Sequence, residues 1–178
     1  MKKIFLFSTL LFLIQLSANA QLEIAKLAGK NSGNYKLGFG AFLKFAYPVS
    51  EAADVSLEGG ALYFSEKQNS ASGVAFVPVK IGYRYTINGT GIGFYAEPQV
   101  GYNVYGIKSY TGIDGYNVDE KFHGIILSAG IGYLFPPVVG LQFDLGLRYE
   151  SVLYKGNSVN CVGLRLSHNF SFKGRDSE

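Results

Sequence analysis

The chain has 178 residues and a formal net charge of +3, with only 16% of residues charged, where soluble domains average about 25%. With 48% hydrophobic and 15% aromatic residues it is too apolar for disorder, and its charge is too small to suggest nucleic acid. Cys161 is the only cysteine, which excludes an intramolecular disulfide.

Residues 1–20 read as a cleaved export signal. Lys2 and Lys3 precede an apolar run, and Ala18-Asn19-Ala20 forms an A-x-A site before Gln21. The run is too short for a membrane-spanning helix. The stretch 21–172 has the length of one domain, and a short polar tail occupies 173–178.

Eight extended segments are predicted. The first, 22–30, alternates poorly because Lys26 interrupts its apolar row. After an Asn31-Ser32-Gly33-Asn34 turn comes 35–47, where Tyr35, Leu37, Phe39, Ala41, Leu43, Phe45 and Tyr47 share one face. Segments 54–65 and 74–86 come next, with a loop around 66–73 between them. Asn88-Gly89 signals a tight hairpin turn into 92–105. A long polar loop, 106–121, leads to 122–135, which Pro136-Pro137 ends. The last two segments are 139–151 and 159–172, joined through Lys155-Gly156-Asn157.

Most segments run ten residues or more, whereas strands of soluble proteins average about five or six. A tilted strand crossing a bilayer needs about nine to eleven. Connections after the second, fourth and sixth segments read as short, and those after the third and fifth as long, as in outer-membrane barrels. Eight strands place both termini at the short-turn end. Pro78 and Pro98 lie inside strands, where they cannot donate to a ladder, so a bulge or loosened pairing is expected there. A tight Asn88-Gly89 turn would bring the two prolines close together across adjacent strands.

Alternation gives two faces. One is apolar: Val77, Val79, Ile81, Tyr83 and Tyr85 in the fourth segment, Ile125, Leu127, Ala129 and Ile131 in the sixth, Leu141, Phe143, Leu145 and Leu147 in the seventh. The other mixes glycine with charge: Lys36, Lys44, Glu58, Lys80, Arg84, Glu97, Asp144, Arg148, Glu150 and Arg165. A soluble lipocalin-like barrel would turn the apolar face inward. Spaced charges of both signs among glycines fit the crowded lumen of an eight-stranded membrane barrel better. The charges must then pair. A tight Asn88-Gly89 turn sets Lys80 opposite Glu97, and Arg148 and Arg165 come within reach of Asp144 and Glu150. Such a network either plugs the lumen or gates a narrow path.

Catalytic constellations are sparse. His123 and His168 both fall on the apolar face, while Ser167 and Ser171 beside His168 point the other way, so no serine–histidine–carboxylate set forms. Asp114, Asp119 and Glu120 do not match an EF-hand loop. The residues predict no metal, no cofactor and no enzyme. Tyr110 and Tyr116 in the long loop are candidate contact residues for a surface ligand or protein.

The runs Gly38-Phe39-Gly40-Ala41, Leu57-Glu58-Gly59-Gly60-Ala61-Leu62-Tyr63-Phe64-Ser65, Val77-Pro78-Val79-Lys80, Glu97-Pro98-Gln99-Val100-Gly101-Tyr102 and Gly130-Ile131-Gly132-Tyr133-Leu134-Phe135 occur in that order. In them the chain resembles the porin-family outer-membrane β-barrel domain, similar in architecture to outer membrane proteins A and X. The resemblance implies an all-β, eight-stranded, antiparallel up-and-down transmembrane barrel in the outer membrane of a Gram-negative cell. It also implies insertion by the barrel-assembly machinery, with Phe172 as the terminal aromatic read during insertion. The expected role is structural or surface-interacting in a monomer surrounded by lipid. A narrow porin-like channel is the alternative, and a lipid-modifying enzyme is less favoured.

Overall fold

Alternating side chains with few charges favour long ladders, and strands take up most of the described residues. The computed structural model describes residues 17–29, 32–68, 72–111, 117–138 and 141–170. Residues 1–16 of the expected signal, Asp114, Tyr116, Phe172 and the 173–178 tail lie outside them. The strands are β1 (Ser17–Ala28), β2 (Tyr35–Pro48), β3 (Ala53–Glu66), β4 (Gly73–Thr86), β5 (Gly93–Thr111), β6 (Asn117–Leu134), β7 (Gln142–Tyr154) and β8 (Asn157–Phe170). They pair antiparallel in sequence order, and β1 closes on β8 to make a barrel. Closure removes the sheet edges that an open apolar sheet would expose.

The wall sorts its side chains by parity. Leu22, Phe39, Leu43, Leu127, Phe143, Leu147 and Leu164 point outward and are exposed, while Glu58, Lys80, Glu97, Arg148 and Arg165 point into the lumen and are buried. This is the membrane-barrel phase; in a soluble barrel the two sets would exchange places.

Several boundaries differ from the sequence reading. β1 begins earlier than expected, and Ala18 and Ala20 of the A-x-A triplet pair with both β2 and β8. The polar stretch 106–121 is not one long loop. Ile107 pairs with Lys121, Lys108 with Glu120 and Tyr110 with Val118, so the ladder runs on to Thr111↔Asn117. Polar composition concealed this because a hairpin standing in water needs no apolar face. Connections consequently do not sort by length between the two ends. Lys67–Ser72 at the hairpin end is matched by Ile87–Ile92 at the terminus end.

The Asn88-Gly89 pair does not make a two-residue turn. Ile87 N–H donates to the Phe94 carbonyl at 2.9 Å, and the intervening loop wraps around Thr86. The Thr86 hydroxyl accepts from Gly91 N–H at 3.0 Å and donates to the Ala52 carbonyl at 2.8 Å. The wider loop shifts the β4–β5 register by an even number of residues, so the faces survive and the partners change. Lys80 therefore faces Gly101, not Glu97, and Pro78 faces Asn103, far from Pro98. The ladder is disturbed at both prolines as expected: the register slips between Val77 and Pro78, and Tyr83 and Arg84 have no rungs opposite Pro98 and Glu97.

A second bulge, between Tyr35 and Gly38, reverses two assignments. Tyr35 turns into the lumen and Lys36 is exposed, the opposite of the strict alternation read from the sequence. The β7–β8 connection is a two-residue turn with positive φ at Lys155 (44°) and Gly156 (77°). This is the geometry whose twist matches that of flanking strands, and Gly156 takes it without steric cost.

Candidate functional site: a lumen closed in two layers

Inward positions near the terminus end carry the charges. Arg84, at the end of β4, donates to Asp54 at 2.7 Å and lies 3.5 Å from Asp144. Tyr95 reaches across to donate to Asp144 at 2.5 Å and accepts from Arg165 at 2.8 Å. Gly132 on β6 and Gly146 on β7 make this crossing feasible: a Cβ at Gly146 would sit 2.7 Å from the Tyr95 hydroxyl, and one at Gly132 2.5 Å from its ring carbon Cζ. The inward glycines are thus the space into which long side chains fold.

Deeper in the barrel the charges interlock. Glu58 accepts from Lys80 at 2.9 Å and pairs with Arg148, and Arg165 Nη1 lies 3.6 Å away. Lys80 also reaches Glu150 at 2.5 Å. Glu97 pairs with Lys44 and accepts from Arg165 at 3.0 Å. Glu23 on β1 completes the set as a partner of Arg148. The buried cations Lys44, Lys80, Arg84, Arg148 and Arg165 are matched in number by Glu23, Glu58, Glu97, Asp144 and Glu150. Matching matters because an unpaired ion in this environment costs several kcal/mol, whereas pairs and hydrogen bonds offset most of that.

Every residue predicted for the network, Lys80, Glu97, Glu58, Arg84, Asp144, Arg148, Glu150 and Arg165, is lumenal. The partner assignment is corrected: Lys80 pairs with Glu58 and Glu150, and Glu97 with Lys44 and Arg165. Arg165 comes 3.8 Å from Asp144 and Arg148 4.0 Å from Glu150, but their closer partners are Glu97, Glu58 and Glu23. Glu23 was missed because its strand alternates poorly. Its parity with Gln21 and Ala25 was the available signal.

The second layer was not foreseen. Toward the hairpin end the inward positions become apolar: Leu27, Tyr35, Phe42, Leu62, Phe64, Phe76, Phe122, Ile126, Val152 and Cys161 form one buried cluster. Phe42 joins the two layers. Lys80 Nζ lies 5.2 Å and Arg148 Cζ 4.8 Å from the centre of its ring, each a cation–π contact. A hydrated ion would have to break the charged layer and then cross a greasy one. Cys161 is enclosed in the apolar cluster, away from solvent.

The histidines stay apart from this network. His123 is exposed on the outer face and packs near Tyr102, with ring centres 6.5 Å apart. His168 Nδ1 lies 3.3 Å from the Gln142 carbonyl oxygen, while Ser167 is buried on the lumenal side. Tyr110 is partly exposed on the extended β5–β6 hairpin, with Lys108 Nζ 5.9 Å from its ring centre.

No family model and no curated protein matches the chain in sequence. Solved structures match in fold. Neisserial surface protein A superposes with a TM-score of 0.66 at 13% identity, over 89% of this chain and 97% of that one. The N-terminal β-barrel domain of Pseudomonas aeruginosa OprF gives 0.60 at 14% identity, covering 86% and 97%. The attachment invasion locus protein Ail of Yersinia pestis, solved with the heparin analogue sucrose octasulfate, gives 0.55 at 17% identity, covering 87% and 96%. The fold is that of the small eight-stranded transmembrane barrels of outer membranes.

Proposed function

We propose that the chain is a monomeric outer-membrane barrel of a Gram-negative cell that acts through contacts at the cell surface, without conduction or catalysis. The observation that carries this reading is the double closure of the lumen, ion pairs below and an apolar cluster above. An eight-stranded barrel has room inside only for its own side chains, and here both layers use it. Export would remove the signal through Ala20 and leave Gln21 as the first residue of β1.

The hairpin end is the part suited to contact. β6 has no rung with β7 beyond Ile125, while β5 keeps β4 beside it as far as Ser109, and across the β5–β6 hairpin Lys108 pairs with Glu120 and Tyr110 with Val118. The exposed cations Lys36, Lys67, Lys121 and Lys155 at this end outnumber the exposed carboxylates Asp119 and Glu120, whereas the turns at the other end expose Glu51 and no lysine or arginine among the described residues. That asymmetry favours an anionic partner. The names of two fold neighbours, a surface protein and an attachment protein, agree with a surface role.

Two measurements test the reading. Purified barrel in planar bilayers should show no discrete current steps; nanosiemens steps would overturn it. In cells, replacing residues 108–120 by an Asn-Gly turn should leave the barrel inserted yet abolish protease access at this end and reduce binding of a sulfated probe such as sucrose octasulfate. Equal probe binding by both proteins would remove the hairpin from the function.

A further inference from the structure

The outward row of the wall has one odd member. Apart from Lys36 at its bulge, and below the β5–β6 extension, Lys26 is the one charged side chain on that row among the described residues. It stands on β1 opposite Val162 of β8, with Ile24 and Leu164 on the neighbouring outward positions. All three of these apolar neighbours are exposed, at 40% for Val162, 48% for Ile24 and 52% for Leu164, so the surroundings of Lys26 are a lipid-facing surface. Among the described residues no hydrogen bond or ion pair holds its ammonium. An ammonium so placed must run its aliphatic stem along the apolar surface and lift its charge to headgroup depth.

At that depth the same seam supplies further polar groups. Asn160 pairs with Ala28 and therefore lies one outward step beyond Val162, diagonal to Lys26. Diagonal neighbours on an antiparallel face stand about 7–8 Å apart, within the reach of a lysine. Asn160 is half-buried, and its Nδ2 donates to the Ser158 hydroxyl at 3.2 Å. An ammonium, a carboxamide and a hydroxyl thus gather above an apolar stretch of wall, on the seam where β1 closes on β8. The group that suits them is tetrahedral, anionic, able to accept several hydrogen bonds, and attached to hydrocarbon that covers Val162 and Leu164.

We propose that Lys26, Asn160 and Ser158 form a seam site for the phosphate of a membrane-lipid headgroup at the hairpin end of the barrel. The lipid's acyl chains lie against Ile24, Val162 and Leu164, and its phosphate meets the ammonium. Bound there, the lipid covers the junction of the first and last strands, which is the last pairing to form when a barrel closes in chain order.

The test uses the full chain in nanodiscs of phosphatidylcholine containing a minority of phosphatidic acid, followed by native mass spectrometry of the lipid retained after transfer to detergent. Heat-dependent gel mobility first confirms that each variant is closed. Phosphatidic acid should be retained over phosphatidylcholine, and Lys26→Ala or Lys26→Gln should lower that retention about five-fold, the value of one surface charge near a membrane. Asn160→Ala should lower it less, while Lys26→Arg and Lys67→Ala should retain it. Retention unchanged in Lys26→Ala would overturn the proposal. So would equal loss in Lys67→Ala, which would mean only diffuse charge attraction. Displacement by inorganic phosphate alone would equally end it, because the site would then take a soluble anion rather than a lipid.

Discussion

Val77 donates its backbone N–H to the side-chain oxygen of Asn103 at 3.1 Å, across the point where Pro78 breaks the β4–β5 ladder. The same carboxamide donates from Nδ2 to the Phe122 carbonyl on β6 at 3.2 Å. One fully buried side chain therefore replaces ladder hydrogen bonds on both flanks of β5, where two register slips fall close together. Asn103→Leu keeps the approximate volume but orphans one donor and one acceptor. Each orphan costs about 1–3 kcal/mol in a buried setting. The expected result is a lower urea midpoint for the barrel in detergent, with Asn103→Gln intermediate. An unchanged midpoint would show that water replaces the carboxamide.

The strand pattern of this chain was legible because period-two alternation survives wherever lipid and lumen are chemically different. Leu127, Phe143 and Leu164 faced the right way without coordinates. Partner identity was not legible, because it depends on the turn. The Thr86 hydroxyl organises a wide loop, and no local rule distinguishes this Asn88-Gly89 from one in a two-residue turn. An even register shift leaves every face intact while moving every cross-strand neighbour, so Lys80 was assigned the wrong carboxylate. The apolar lumenal cluster was hidden for another reason. Phe64, Phe76 and Phe122 share a parity with charged residues of their own strands or neighbours, and averaging along a face blends two layers that are separated in depth.

Glu58 is the hub of the charged layer, facing Lys80, Arg148 and Arg165 at once. Glu58→Gln preserves shape and removes one negative charge, leaving the cations in excess. Breaking a buried pair from one side costs about 3–5 kcal/mol. The double change Glu58→Gln with Lys80→Met restores the balance, and its cost should fall well short of the sum of the two single changes because the residues are in contact. Equilibrium unfolding of the four proteins gives the coupling directly. A strictly additive result would mean that water or counterions already neutralise the layer.

Tyr95 and the paired glycines make a sharper steric test. Gly146→Ala puts a methyl group 2.7 Å from the Tyr95 hydroxyl, closer than side chains tolerate. Overpacking of this kind costs about 1–3 kcal/mol. Tyr95→Phe alone loses the bonds to Asp144 and Arg165, leaving both under-satisfied. Combined with Gly146→Ala it also removes the clashing oxygen, so the double variant should be more stable than the two single effects added together. If the combination is as damaging as that sum, Tyr95 moves aside and the glycine is not required for its passage.

Depth can be measured on the outward row. Leu127 and Leu147 sit mid-strand on β6 and β7, whereas Phe94 lies at the terminus end of β5. All three point outward and are exposed. If hydrocarbon surrounds this face, Leu127→Lys and Leu147→Lys should each cost about 2–4 kcal/mol, and Phe94→Lys markedly less in charge burial because its depth is interfacial. The measurement is folding free energy into lipid vesicles, with Leu127→Ala, Leu147→Ala and Phe94→Ala as controls for lost apolar area. Water around the wall would make the lysine variants as stable as the alanine ones at every depth. A cost that rises from the rim to mid-strand cannot come from water, nor from a uniform protein partner. It requires hydrocarbon at mid-strand depth and a polar boundary at the rim.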